Sequence, residues 1–115
     1  MIVYGIKNCD TVKKSTEWLK GNNLQFEFHD YKSKGISEEK LREWTNQVSW
    51  EILVNKKGTT WKKLDESVKN NVTDVASAVE LMKEHTSLIK RPVIENNGRI
   101  IAVGFNEKEY AEKLS

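Results

Sequence analysis

The chain has 115 residues, enough for one domain with a buried core, and its one cysteine excludes an internal disulfide. Its 19 basic and 17 acidic residues are interspersed and leave a net charge of +2, which gives no electrostatic case for nucleic acid as a partner. No apolar run reaches membrane-spanning length and the start lacks a signal-peptide pattern, so a monomer in the reducing cytoplasm, without a membrane partner, is expected.

The first element is a strand over 1–4, built on Ile2-Val3-Tyr4. Gly5 opens a loop that ends at Cys9, and a helical pattern runs over 10–20. Cys9 is therefore placed at a helix N-terminus, where unpaired backbone N–H groups and the positive end of the helix dipole favour thiolate over thiol. Lys7, Lys13 and Lys14 bring positive charge close in sequence. The thiolate is the nucleophilic form, so this context points to a reactive thiol rather than a small core residue. Gly21 is expected to end the helix in the left-handed conformation.

A second strand is expected over 24–29, then a helix over 38–47 with Ser37 as N-cap ahead of Glu38 and Glu39. Short helices follow near 50–54 and 61–69 and a longer one over 74–85, with Thr60 and Thr73 as cap candidates. Trp44, Trp50 and Trp61 sit beside apolar periodic positions and read as core, and Trp18 reads as packing on the sheet. Strands at 93–95 and 99–103 flank Asn97-Gly98, a strong hairpin signal. The last helix covers 107–114, with Asn106 and Glu109 spaced as a capping box. His29 and His85 have no motif partner, and no metal-ligand spacing is present, so no metal site is expected.

The order is βαβ, then helices, then ββα. A right-handed βαβ crossover makes two adjacent parallel strands, and the hairpin extends them. The expected fold is α/β and thioredoxin-like (glutaredoxin-like): one domain with a four-stranded mixed sheet and a helical insertion at about 37–88. In that architecture the active cysteine ends the first strand and leads the first helix, where Cys9 stands. The only proline, Pro92, precedes the hairpin, at the position where this fold faces its active cysteine with a cis bond. A cis Arg91-Pro92 bond is expected.

Three segments resemble the arsenate-reductase-like (ArsC/Spx) family, its YffB-like branch in particular. They are Gly5-Ile-Lys-Asn-Cys9-Asp-Thr-Val-Lys13-Lys14, Asn55-Lys-Lys-Gly-Thr-Thr-Trp61 and Arg91-Pro92-Val93. The resemblance covers nearly the full length and implies thiol chemistry on a thioredoxin-like fold. Cys9 and Lys13 match the family's cysteine followed four residues later by a basic residue. Arg91 and Pro92 match its Arg-Pro, whose arginine in the arsenate reductases helps bind the oxyanion. Guanidinium geometry suits an oxyanion or a glutathione carboxylate equally.

The chain also departs from the arsenate reductases. Gly5 stands where they have a histidine, Asn55 where they have an arginine, and Val103 or Gly104 where a third arginine is found. Val12 stands where Spx-type redox sensors carry the second cysteine of Cys-x-x-Cys. The expected function is a thiol reductase with one nucleophile, Cys9, resolved by external glutathione as co-substrate, with no tightly bound cofactor. Asn8, Thr11, Lys13, Asn55, Lys57 and Arg91 are the expected substrate-binding residues, with Lys56 a further source of charge. The partners are glutathione, a small oxidised or thiol substrate, and a glutaredoxin as a further candidate. The alternatives are an Spx-like regulatory module that contacts a protein such as RNA polymerase, and an arsenate reductase dependent on glutathione and glutaredoxin.

Overall fold

The computed structural model describes residues 1–114. In chain order the elements are β1 (Ile2–Gly5), α1 (Asp10–Gly21), β2 (Glu27–Asp30), α2 (Tyr31–Lys34), α3 (Glu38–Thr45), α4 (Trp50–Leu53), α5 (Thr59–Lys62), α6 (Glu66–Asn70) and α7 (Val75–Glu84). A 3-10 turn (Thr86–Leu88) then leads to β3 (Val93–Asn96), β4 (Arg99–Val103) and α8 (Glu107–Leu114). The chain divides into two compact units: Met1–Lys34 with the segment from Arg91 onward, and Gly35–Lys90.

The first unit holds a four-stranded mixed sheet in the order β2-β1-β3-β4. β1 and β2 are parallel, as the α1 crossover requires, and β3 runs antiparallel to both β1 and β4. The hairpin signal holds: Asn97 and Gly98 both have positive φ (53° and 83°), the pattern of a type I′ turn. Ile94 faces Ala102 and Glu95 faces Ile100, so Ile101 is the extra residue of a β-bulge. Strand alternation puts Val3 and Ile94 on one face, where they form a core with Leu19 of α1, Ala102 and Tyr110 of α8. Trp18 packs against this core and meets the Tyr110 ring edge-on at 5.5 Å. The hydroxyl of buried Tyr110 donates to the Gly104 carbonyl (2.6 Å) and therefore accepts from Ser15 Oγ (2.9 Å). These two bonds tie α1 and α8 to the end of β4.

The second unit is helical apart from an isolated antiparallel bridge between Val54 and Ile89. α7 packs on α3 and α4, and Trp44, Leu41, Leu53, Val79 and Met82 are fully buried. Ser37 caps α3 by accepting from the Lys40 N–H, as its sequence position indicates. Lys83 Nζ donates to Glu38 Oε1 at 3.3 Å across α3 and α7.

Several local expectations are corrected. α1 runs through Gly21, and the left-handed residue is Asn23 (φ 58°). The second strand begins at Glu27 rather than 24 because Leu24 N–H bonds back to Leu19 O and closes the helix end. Asp74, not Thr73, caps α7 through a capping box with Ser77, its carboxylate placing negative charge at the positive end of the helix. Gly58, not Thr60, precedes α5, and the 61–69 stretch breaks at Asp65, whose extended backbone starts α6. Trp50 and Trp61 are only partly buried. They flank the Lys56 ammonium, at 5.6 and 5.4 Å from their ring centres, in a cation–π clamp.

Candidate functional site

Cys9 is the N-cap of α1, with extended backbone (φ −132°, ψ 121°), and is partly exposed. Its carbonyl accepts the first helical bond, from Lys13 N–H at 2.9 Å. The side chain makes no capping bond of ordinary geometry, so Sγ stands before the Val12 and Thr11 N–H groups without being consumed as a cap. Burial pushes the thiol pKa up, but the Val12 N–H, the Arg91 guanidinium as hydrogen-bond donor, the Thr11 N–H and the Arg91 charge outweigh it. The net direction is down from the ordinary thiol value. The cation acting on the sulfur is Arg91. Lys7, Lys13 and Lys14, close in sequence, are not among the groups that shift it.

Arg91 is brought to Cys9 by strand order. β3 lies beside β1, with Val93 paired to Tyr4, so the residues entering β3 meet the loop leaving β1. The Arg91-Pro92 bond is cis, as expected from the sequence. Thr11 contributes its backbone N–H, Asn8 is exposed in the loop before the thiol, and the exposed side chain of Lys13 lies one helical turn beyond Cys9. Asn55, Lys56 and Lys57 belong to the helical unit. There Asn55 N–H donates to Leu88 O (2.7 Å), and its side chain crowds Gly58: a Cβ on that glycine would stand 2.9 Å from Asn55 Nδ2.

Gly5, which stands where the arsenate reductases have a histidine, packs against Val12, which stands where Spx-type sensors have their second cysteine. Gly5 is buried, and a Cβ there would stand 2.8 Å from Val12 Cγ2 and 3.3 Å from Val12 Cγ1. The β1 backbone and the first turn of α1 thus approach too closely for a side chain at residue 5 while valine occupies residue 12.

A polar cluster in the same unit carries no sequence motif. Tyr4 donates to Glu95 at 3.2 Å, and both are buried. The Tyr31 and His29 rings lie 6.3 and 4.8 Å from that of Tyr4. Burial raises the Tyr31 pKa well above the ordinary phenol value, the Tyr4 and Glu95 fields add to this, and the Arg91 charge opposes it, so Arg91 is felt at both Tyr31 and Cys9. The signal for this cluster was an acid, Glu95, inside an apolar strand. Among the described residues no group of three or more His, Cys, Asp or Glu side chains is gathered to hold a metal ion, and no helix is long and apolar enough to cross a membrane.

The chain is 48% identical to an uncharacterised protein of Haemophilus influenzae, across 94% of this chain and 93% of that one. It is 26% identical to the global transcriptional regulator Spx of Streptococcus mutans, across 89% of this chain and 74% of the regulator. Among solved structures, a YffB protein superposes with a TM-score of 0.93 at 46% identity, covering 99% of this chain and 98% of that one. The ArsC family model matches residues 4–113, and with these relatives and this fold the chain belongs to the ArsC family.

Proposed function

We propose that the protein is a thiol–disulfide oxidoreductase that works through Cys9 alone, with glutathione as co-substrate. The observation that carries this reading is the lowered pKa of a partly exposed cysteine at a helix N-terminus beside a guanidinium. The Cys9 thiolate attacks one sulfur of an oxidised substrate. A new S–S bond forms to Cys9, the old one breaks, and the electron pair leaves on the other sulfur as a thiolate. With no second cysteine in the chain, a first glutathione thiolate attacks the Cys9 sulfur of the mixed disulfide and releases the second substrate thiolate, and a second glutathione thiolate attacks the glutathione sulfur now bonded to Cys9, releasing oxidised glutathione and returning Cys9 as thiolate. Two glutathione molecules are thereby oxidised to one disulfide for each substrate disulfide reduced to two thiols.

The helix N–H groups and Arg91 hold negative charge at the reacting sulfur, and Asn8, Thr11 and Lys13 flank it. Arg91 is suited to a carboxylate of glutathione. Asn55 and Lys57 remain proposed ligand-binding residues by family resemblance. A cytoplasmic monomer with small oxidised thiols as substrates, or with a glutaredoxin as electron partner, fits this chemistry.

Exposure to oxidised glutathione followed by mass spectrometry tests the reading. One glutathionyl group is expected on Cys9, removed by reduced glutathione and absent from Cys9→Ser. No adduct at Cys9 under conditions that modify a free cysteine peptide contradicts it.

A regulatory reading has its own support in the similarity to Spx over most of both chains. It requires a protein partner, and a function kept in Cys9→Ser favours it. Arsenate reduction has less support, because Gly5 and Asn55 replace residues that the arsenate reductases carry.

A further inference from the structure

The face of α1 that starts at Cys9 borders a groove of about 340 Å³ lined by Lys7, Val12, Lys13, Thr16, Lys20, Phe26 and Phe28. Helical periodicity makes it: positions 12, 13, 16 and 20 share one face of α1. Phe26 and Phe28, two apart at β2, share a face of the extended chain beside it. Both phenylalanines pack on the core from one side and leave part of their rings uncovered. Lys7, Lys13 and Lys20 are exposed around this floor. Among the described residues no carboxylate stands within ion-pair distance of any of the three.

From this arrangement we infer that the groove is a docking site for an acidic protein segment carrying an apolar side chain, which would present its oxidised cysteine to Cys9. The inference rests on the thiol-transfer reading above and deepens it by naming a protein, rather than a small thiol alone, as substrate. Charge complementarity selects the acidic partner: three exposed cations that make no ion pair among the described residues attract carboxylates. The Phe26–Phe28 floor selects a partner with an apolar side chain. Glutathione has two carboxylates and no apolar side chain, so it leaves the floor unused. The reach of the site also suits a chain segment, since Lys13 and Lys20 are seven residues apart, about 10 Å along the helix axis.

The test is fluorescence anisotropy with a labelled, thiol-free peptide, Glu-Leu-Glu-Ser-Glu, on the Cys9→Ser protein, so that binding is read without any thiol reaction. The peptide is expected to bind, and added salt is expected to weaken it. The controls Lys-Leu-Lys-Ser-Lys and Glu-Ser-Glu-Ser-Glu are each expected to bind more weakly. Lys20→Glu should lower the affinity by about five- to tenfold and Lys20→Gln by less. Lys20 is exposed, so these variants keep the fold, and the salt titration of the unsubstituted groove needs neither. In the protein with Cys9 intact, Lys20→Glu should slow reduction of a mixed disulfide of glutathione with an acidic Cys peptide but not of hydroxyethyl disulfide. Equal binding of the acidic and basic peptides, an unchanged affinity in Lys20→Glu, or full displacement by glutathione would overturn the inference. Peptide binding that persists when Cys9 shows no thiol transfer would retain the groove and remove the enzymatic reading instead.

Discussion

Gly5 and Val12 are matched: a Cβ on Gly5 would stand 2.8 Å from Val12 Cγ2, inside van der Waals contact. The contact joins the end of β1 to the first turn of the helix that Cys9 caps. It sets how closely the helix N-terminus approaches the strand and therefore where Sγ sits. The histidine of the arsenate reductases at residue 5 and the second cysteine of the Spx-type sensors at residue 12 are both replaced, and the replacements fit one another.

Gly5→Ala should destabilise the protein by about 1–3 kcal/mol through overpacking. Val12→Ala should also destabilise, because Val12 is buried and its removal leaves a void. The double variant should be more stable than the sum of the two losses implies. Urea denaturation of all four proteins measures the coupling, and strict additivity would show that the contact is relieved elsewhere.

Arg91→Ala should raise the Cys9 pKa, since it removes both a hydrogen-bond donor and a charge from the thiolate. It should also weaken binding of glutathione or an oxyanion by about ten- to a hundredfold, the value of a charge-assisted bond of roughly 1.5–3 kcal/mol. Arg91→Lys should recover part of each effect, because lysine keeps the charge and loses the planar fork. Alkylation kinetics and calorimetry on the three proteins read the two effects separately.

Tyr110→Phe should cost about 1–3 kcal/mol without altering thiol reactivity. The ring and its packing stay, but Gly104 O loses its donor and Ser15 Oγ its acceptor in a buried setting. Burial holds the Tyr110 pKa at about 12 despite the Ser15 bond, so the phenol stays neutral over the ordinary working range. Thermal melts with and without the substitution give the loss, and alkylation rates check that Cys9 is unaffected.

Asp74→Ala should destabilise the helical unit, because Asp74 accepts from Ser77 N–H and Ser77 Oγ at 2.9 and 2.7 Å. Its carboxyl pKa is lowered by the Ser77 side chain and then by the Ser77 N–H. A depressed carboxyl stabilises the fold above its unfolded value, near 3.9, and loses that contribution as pH falls through the folded value. The difference between wild type and Asp74→Ala in urea should therefore shrink as acid is added below pH 4.

The strand–Cys–helix start, the Asn97-Gly98 hairpin and the place of Arg91-Pro92 were legible in the sequence because each rests on local chemistry. A cap position, a turn that needs two positive φ angles and a proline before a strand can be read within a few residues. What was not legible depends on distant partners. Lys7, Lys13 and Lys14 are nearer to Cys9 in sequence than Arg91 is, yet Arg91 charges the thiol, since pairing of β3 with β1 carries it there. The Tyr4–Glu95 bond spans 91 residues of chain. Trp50 and Trp61 have core spacing but turn to hold Lys56, a contact that apolar periodicity does not encode.

The most direct test of the account is the rate of Cys9 alkylation by iodoacetamide against pH, read on the folded protein. Because the folded pKa is lowered, the rate should titrate with a midpoint below the free-thiol value of about 8.5. In the same window, stability relative to Cys9→Ser should rise with pH, since the unfolded chain binds the thiol proton more tightly. The contribution should be complete above the unfolded pKa and lost as pH falls through the folded one. A midpoint at or above about 8.5 would contradict the claim that the helix N-terminus and Arg91 make Cys9 a nucleophile.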